Sequence, residues 1–283
     1  MNEQHTPRSL IVSHYGAHGR GAPGHPAGPV PVAALIRLLG AVGVDPPSVR
    51  SAVSRLKRRG LLVADRTATG AAGYALSADA RQLLDDGDAR IYPRPTLGPD
   101  RWLLAVFSVP EQERAKRHLL RSRLSRLGFG TAAPGVWIAP DRLYDETRHT
   151  LERLGLDSYV DLFRGDHAGF TPTAEAVRRW WDLDELAALH RAFLAAHEPV
   201  LAHWTHQPDH TPTPEAAYRD YLLALDSWRH LPYADPGLPP SLLPDDWPGA
   251  RAAEVFTALH TRLRDAAAEH AAAVLHGTTV RPV

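Results

Sequence analysis

The stretch DPPSVRSAVSRLKRRG, Asp45 to Gly60, opens with a helix-starting signal, closes with a helix-ending one and carries five cationic side chains between them. Asp45 is suited to accept from the free amides of the next turn. Pro46 fits the first helical position and holds Asp45 extended, and Gly60 ends the helix. Val49, Val53 and Leu56 recur at i, i+4 and i+7 and, with Ala52, predict a buried face. Pro47, Ser51, Ser54, Arg55 and Arg58 then point outward, with Ser48 and Arg50 on the flanks.

Working upstream, PVAALIRLLGAVG places Leu35, Leu38, Leu39 and Val42 on one helical face, and Gly43-Val44 turns the chain into the Asp45 helix. Two short helices joined by a tight turn, the second with a small-polar and Arg outer face, predict a helix-turn-helix. Before them, PRSLIVSHYG (Pro7 to Gly16) reads as a short apolar helix. The next stretch, AHGRGAPGHPAGP, lacks the Gly-Lys-Ser/Thr ending and the preceding strand of a phosphate loop, so residues 17–29 read as a flexible insertion. Downstream, Leu61 to Ala64 and Tyr74 to Leu76 predict two strands around a polar turn with Arg66, Thr67 and Thr69. A hairpin after a recognition helix is a wing. Ser77 caps a further helix, and PRPTLGP is a linker.

A chain of 283 residues with 32 basic and 32 acidic side chains exerts no net pull on polyanions. The charge is nevertheless graded. Residues 1–95 carry 12 basic and 7 acidic groups, residues 96–170 carry 11 and 10, and residues 171–283 carry 9 and 15. The N-terminal third is where a polyanion would bind. With no cysteine there is no disulfide framework or thiolate metal site. No signal peptide or bilayer-length apolar run is visible, so a cytoplasmic, nucleoid-associated protein with no membrane contact is expected.

The middle segment has a βαββαβ order. WLLAVFSV leads into a helix from Glu111 to Leu127, FGTAA-PG-VWIA is a hairpin, Arg142 to Leu154 is a second helix, and SYVDLF is the last strand. This order predicts a ferredoxin-like sandwich. From Thr171 onward the pattern is helical, near 173–181, 183–206 with a kink at Pro199, 214–230 and 248–276. The expected fold class is α+β, with a winged helix-turn-helix at 1–95, a ferredoxin-like domain at 96–170 and an all-α domain at 171–283.

Three stretches, VRSAVSRLKRRGLL, GFGTAAPGVWIAP and WRHLPYADPGLPPSLLPDDWPG, resemble in order and spacing the signatures of the PaaX family of bacterial repressors, over a span from Arg8 to about Leu275. The third is the most specific, through its Asp-Pro, Leu-Pro and Trp-Pro-Gly elements. The resemblance implies a homodimer with an N-terminal winged helix, a middle domain of the CRISPR-associated Cas2 fold and a helical C-terminal domain. It also implies repression of an operon with release from DNA by phenylacetyl-CoA, as in the best-known members.

The candidate DNA-binding residues are Ser48, Arg50, Ser51, Ser54, Arg55, Lys57, Arg58, Arg66, Thr67 and Thr69. Lys57, Arg58 and Arg59 also suit the negative end of the helix dipole, whereas Ser51 and Arg55 lie outward in the first three turns, where recognition helices touch bases. Candidate effector residues are Arg178, Trp180, Trp181, Arg191, Tyr218, Tyr221, Trp228 and Arg229, together with Phe193: aromatic walls with Arg for an anion. The effector is expected to be an acyl- or aryl-CoA, with a smaller organic acid as the alternative. A CoA site could also borrow Arg121 and Arg123 from the middle domain.

No cofactor, metal site or catalytic residue is expected. His190 and His197 are about 10 Å apart along a helix, and His203, His206 and His210 have weak spacing for an ion. A Cas2-type nuclease holds its metal with an acid at the end of the first strand, where this chain has Ser108-Val109-Pro110. No hydrolase elbow, zincin helix or P-loop occurs. The rival readings are a metal-dependent nuclease and a constitutive DNA-binding protein without effector.

Overall fold

The structure, a computed structural model, describes residues 5–20, 28–67, 70–92, 101–206 and 213–277. In chain order the elements begin with α1 (Pro7–His18), α2 (Val32–Gly40), α3 (Pro46–Arg58), β1 (Leu62–Arg66), β2 (Ala72–Leu76) and α4 (Ala78–Ile91). They continue with β3 (Trp102–Phe107), α5 (Arg114–Arg126), β4 (Gly130–Ala133), β5 (Val136–Pro140), α6 (Tyr144–Arg153) and β6 (Val160–Gly165). The last are α7 (Thr173–Trp180), α8 (Leu183–Thr205), α9 (Pro214–Trp228), α10 (Leu231–Ala234) and α11 (Gly249–His276). Pro199 lies inside α8, as its place in the helical pattern implied.

The chain forms two compact units: residues 1–93, 193–229 and 251–283 in the first, residues 94–192 and 230–250 in the second. The helical residues after 171 are therefore shared between them. In the first unit, α1, α2 and α3 pack together, and an antiparallel hairpin follows in which Leu62 faces Leu76 and Arg66 faces Ala72. Val30 pairs with Tyr74 on the outer side of β2. Leu10, Ile11, Leu35, Leu38, Leu39, Val49, Val53 and Leu56 are buried, as are Leu222, Val255, Phe256, Leu259 and Leu263 on α9 and α11.

In the second unit a four-stranded antiparallel sheet has the order β4-β5-β3-β6. One core joins Leu103, Ala105, Trp137 and Ala139 of the sheet to Leu120 and Leu124 of α5 and Leu151 of α6. A second core lies on the alternate side chains of the same strands. Trp102 and Ile138 meet Val177, Trp181, Leu183, Leu186 and Leu238, with Leu242, Leu243 and Trp247 packed around them. Successive strand residues face opposite sides, so the two cores are on opposite faces of one sheet. The Pro-rich stretch after Trp228 thus covers part of the face that the two sheet helices leave open.

Candidate nucleic-acid interface

Helix α3 is held by local chemistry. The Asp45 carboxylate accepts from the Ser48 amide at 2.9 Å, Pro46 occupies the first turn, and Gly60 takes a φ of 72° just past the end. Hydrogen bonds from the Ser48 side chain and then from its amide hold the Asp45 carboxyl below its ordinary pKa, so it stays ionised at the positive end of the helix dipole. The preceding turn is as tight as the sequence implied: the Val44 amide reaches back to the Leu39 carbonyl at 3.0 Å, and Gly43 has a φ of 79°.

Val49, Ala52, Val53 and Leu56 turn inward and are buried. Arg50, Ser51, Ser54, Arg55, Lys57, Arg58 and Arg59 are exposed, and Ser48 is half-buried. Among the described residues none of the five cations on this stretch has a carboxylate partner. Lys57 Nζ lies 6.0 Å from the centre of the Tyr74 ring on β2, the contact nearest to fixing it.

The hairpin uses its candidate residues differently. Arg66 is exposed, but its guanidinium donates to the Gly70 carbonyl at 2.9 Å, within its own turn. The Thr67 hydroxyl accepts from the Ala71 amide at 3.0 Å, and the Thr67 amide donates to the Ala71 carbonyl at 2.9 Å. These two residues shape the turn. Thr69 lies outside the described residues, as does most of the Gly/Pro/His-rich insertion.

The aromatic and Arg set falls into two groups. Arg178, Trp180, Trp181 and Arg191 belong to the second unit, while Phe193, Tyr218, Tyr221, Trp228 and Arg229 belong to the first. Trp181 is a core residue: its indole N–H donates to the Gly128 carbonyl at 2.9 Å, and Trp102 and Trp180 lie against it. Arg178 and Arg191 are exposed. In the first unit Trp228 stacks on Phe256 at 4.9 Å and donates to the Ile91 carbonyl at 2.8 Å. Tyr218 is fully buried and meets His14 Nδ1 at 3.1 Å, and Tyr221 meets His260 Nδ1 at 3.0 Å. Arg229 bonds to Asp226 and to the Ser9 hydroxyl. Every ring of the set except the half-buried Trp180 is buried.

Asp226 was not among the candidates. Its carboxylate is fully buried and accepts from His5 at 2.9 Å, Ser9 at 2.6 Å and Ser13 at 2.7 Å, with Arg229 at 3.3 Å. A signal was present, because Asp226 follows Leu222 and Leu225 on an apolar helical face where only a satisfied carboxylate can lie. Among the described residues no group of three or more His, Asp or Glu side chains is placed to hold a metal ion. His210 lies outside them.

Three family models match consecutive parts of the chain: the PaaX-like protein over residues 6–80, the PaaX protein central Cas2-like domain over 99–177, and the PaaX-like protein C-terminal domain over 181–273. The chain belongs to the PaaX family. It is similar to the transcriptional repressor PaaX of Escherichia coli (strain K12), with 27% identity over 92% of this chain and 81% of that protein. It is also similar to the solved structure of uncharacterized protein Rv0674 from Mycobacterium tuberculosis, at 27% identity and a TM-score of 0.55, covering 92% of this chain and 98% of the other.

The structure gives physical reasons for the stretches that carry the PaaX resemblance. In GFGTAAPGVWIAP, a side chain on Gly130 would stand 2.6 Å from the Trp180 carbonyl and 2.7 Å from the Trp181 ring, so only glycine admits the tryptophan pair there. In WRHLPYADPGLPPSLLPDDWPG, Asp235 holds His190 at 2.8 Å and accepts from the Gly237 amide at 2.7 Å. Trp247 lies edge-on to the same His190, at 5.8 Å between ring centres. Among the described residues of this PaaX-family chain no helix is long and apolar enough to cross a membrane.

Proposed function

We propose that this protein is a transcriptional repressor that reads double-stranded operator DNA with α3 as the recognition helix and β1–β2 as the wing of a winged helix-turn-helix. One observation carries the reading: the outward face of α3 presents small polar groups and uncompensated cations, in a chain whose E. coli relative is named a repressor. Ser51 and Arg55 are assigned to base edges, and Arg50, Ser54, Lys57 and Arg58 to positioning on phosphates. Ser48 sits where the helix N-terminus meets the backbone. Arg66 and Thr67 hold the wing in shape, and Thr69, outside the described residues, is kept as a candidate DNA contact from its place in the sequence.

The second unit, read as a ferredoxin-like scaffold, supports a homodimer that sets two recognition helices on a pseudo-palindrome. An acyl- or aryl-CoA, or a smaller organic acid, is the proposed effector, which acts by preferring the DNA-incompetent state. The rings assigned to it are mostly packed in the cores of the separate units, so binding on this reading displaces packed side chains; Arg178 and Arg191 of the second unit are exposed and are assigned to an anion. Family membership supports a regulator working in the cytoplasm on the nucleoid, and favours it over the nuclease.

The test is selection of fragmented genomic DNA on the purified protein, followed by sequencing. Discrete loci sharing a two-fold motif are expected, and the motif should vanish with Arg55→Ala. Recovery of the same fragments by the wild-type protein and by a variant lacking the cations of α3 would refute the assignment. Calorimetric titration with phenylacetyl-CoA, phenylacetate and CoA tests the effector, and binding by none of them removes that part alone.

A further inference from the structure

Two helices cover one face of the sheet in the second unit, and they differ sharply in charge. Helix α6 carries two Arg against three carboxylates, and its Arg148 is paired with Glu152 at 2.8 Å. Helix α5, RAKRHLLRSRLSR, carries six Lys and Arg and no carboxylate. Two of the six are neutralised from the preceding turn, Lys116 by Glu113 at 2.8 Å and Arg117 by Glu111 at 2.9 Å.

Leu120, Leu124 and Leu127 fix the inward side of α5. Turning about 100° per residue away from them leaves Arg114, His118, Arg121 and Ser125 in one outward row. All four are exposed, and among the described residues Arg114 and Arg121 have no carboxylate or carbonyl partner. Elsewhere on the surface Arg20, Arg148, Arg164, Arg219 and Arg251 sit on carboxylates.

We infer that the outer row of α5, Arg114, His118 and Arg121 with Ser125, is a second phosphate-contacting surface for DNA, separate from the α3 interface. The row is about 16 Å long at 1.5 Å per residue, and a duplex presents one phosphate per roughly 1.7 Å of axis, so it passes several phosphates. The residue types suit backbone contact: two guanidiniums for phosphate oxygens, with an imidazole and a hydroxyl as further donors. The surface is assigned to the backbone, where it adds affinity without sequence preference. A local row of cations also explains how a chain of zero net charge captures a polyanion.

The inference rests on the DNA-binding reading above, and the experiment separates the two. The full-length protein is compared with Arg114→Ala/Arg121→Ala, with Arg148→Ala on α6 and with Arg55→Ala, on a 40-bp random-sequence duplex and on a fragment recovered by genomic selection. Each substituted side chain is exposed, and unchanged melting temperatures establish that the variants are folded. The double variant is expected to reduce the slope of log affinity against log salt by about 2 and to weaken both duplexes about tenfold or more near 0.1 M salt. Its preference between the two duplexes should be unchanged, and Arg148→Ala should match wild type.

An unaltered slope in the double variant, with Arg55→Ala still losing sequence preference, overturns the second surface and leaves the α3 reading intact. If neither variant changes DNA binding, both fail. If the double variant keeps its DNA affinity but loses calorimetric binding of CoA, the row serves a small phosphate-bearing ligand, and the DNA inference is wrong.

Discussion

Ser13 on α1 donates a hydrogen bond of 2.7 Å to the Asp226 carboxylate on α9, 213 residues later in the chain, and both side chains are buried. Helix α1 also packs against α3, and the Tyr15 hydroxyl donates to the Tyr74 carbonyl of β2 at 2.6 Å. The first helix thus joins helix α9 to both elements assigned to DNA within one compact unit.

Removing the acceptor should be costly. Asp226→Ala leaves donors on His5, Ser9, Ser13 and Arg229 without a partner, at an expected loss of about 2–4 kcal/mol. Asp226→Asn, which keeps one acceptor oxygen, should lose less. Urea unfolding measures both, and a midpoint for Asp226→Ala within error of wild type would contradict the assignment of this carboxylate as a structural hub.

Stability should fall on acidification in two stages. Burial pushes His14 and His197 down to about 4, so both stay neutral in the fold while the unfolded chain protonates them near 6.5. The native state then binds fewer protons between about pH 6.5 and 4, and stability drops through that window by on the order of 3 kcal/mol per fully buried histidine. Burial opposes the charge on Asp226, but the bonds from His5, Ser9 and Ser13 and the charge of Arg229 outweigh it and hold its pKa below the ordinary value. Its contribution is present above the unfolded carboxylate value, near 4, and is lost below it. His14→Gln should reduce the slope of the upper window, leaving the share of His197, and leave the lower window unchanged; an undiminished slope in that variant would exclude His14 as a source.

Gly130 is expected to tolerate no side chain. A Cβ would collide with the Trp180 carbonyl and the Trp181 ring, backbone and packed indole rather than a flexible tip. Gly130→Ala should cost about 1–3 kcal/mol by overpacking. A thermal midpoint equal to wild type would mean that the tryptophan pair is looser than its packing implies.

Arg55 and Arg66 should fail in different ways. Arg55→Ala is expected to cost about 1–3 kcal/mol in operator binding and to relax preference at one base position per half-site. Arg66 is tied to the Gly70 carbonyl, so Arg66→Ala should loosen the hairpin and weaken all sequences alike, with a flatter salt slope. Selection on a randomised operator separates the two. A base-specific change for Arg66, or none for Arg55, would reverse their roles.

Local chemistry made much of this legible before any coordinates. The Asp45 cap, the Val49-Ala52-Val53-Leu56 inner face and the glycine exit of α3 are decided within a few residues, and so are the hairpin and the βαββαβ order. The bounds shifted where 3-10 turns replaced helix, as at Glu111–Glu113 and Asp141–Leu143, each preceded by a proline that offers no side-chain cap to the first amides.

The aromatic set shows what local pattern leaves open. Trp180, Trp181, Tyr218 and Trp228 read as walls of a cavity because large rings at helical spacing look alike whether they line a pocket or fill a core. Their destinations depended on distant partners: Gly128 and Gly130 for Trp181, Ile91 and Phe256 for Trp228, His14 for Tyr218. What the sequence by itself determined was the set of elements, the face each would bury and the cationic outer side of α3, since these follow from backbone propensity and periodicity. Only the tertiary structure decided that the helices after residue 171 divide between two units and that the Pro-rich stretch covers a sheet face. It alone placed Asp226 against α1, because burying a carboxylate is tolerable only where donors from a remote segment converge on it.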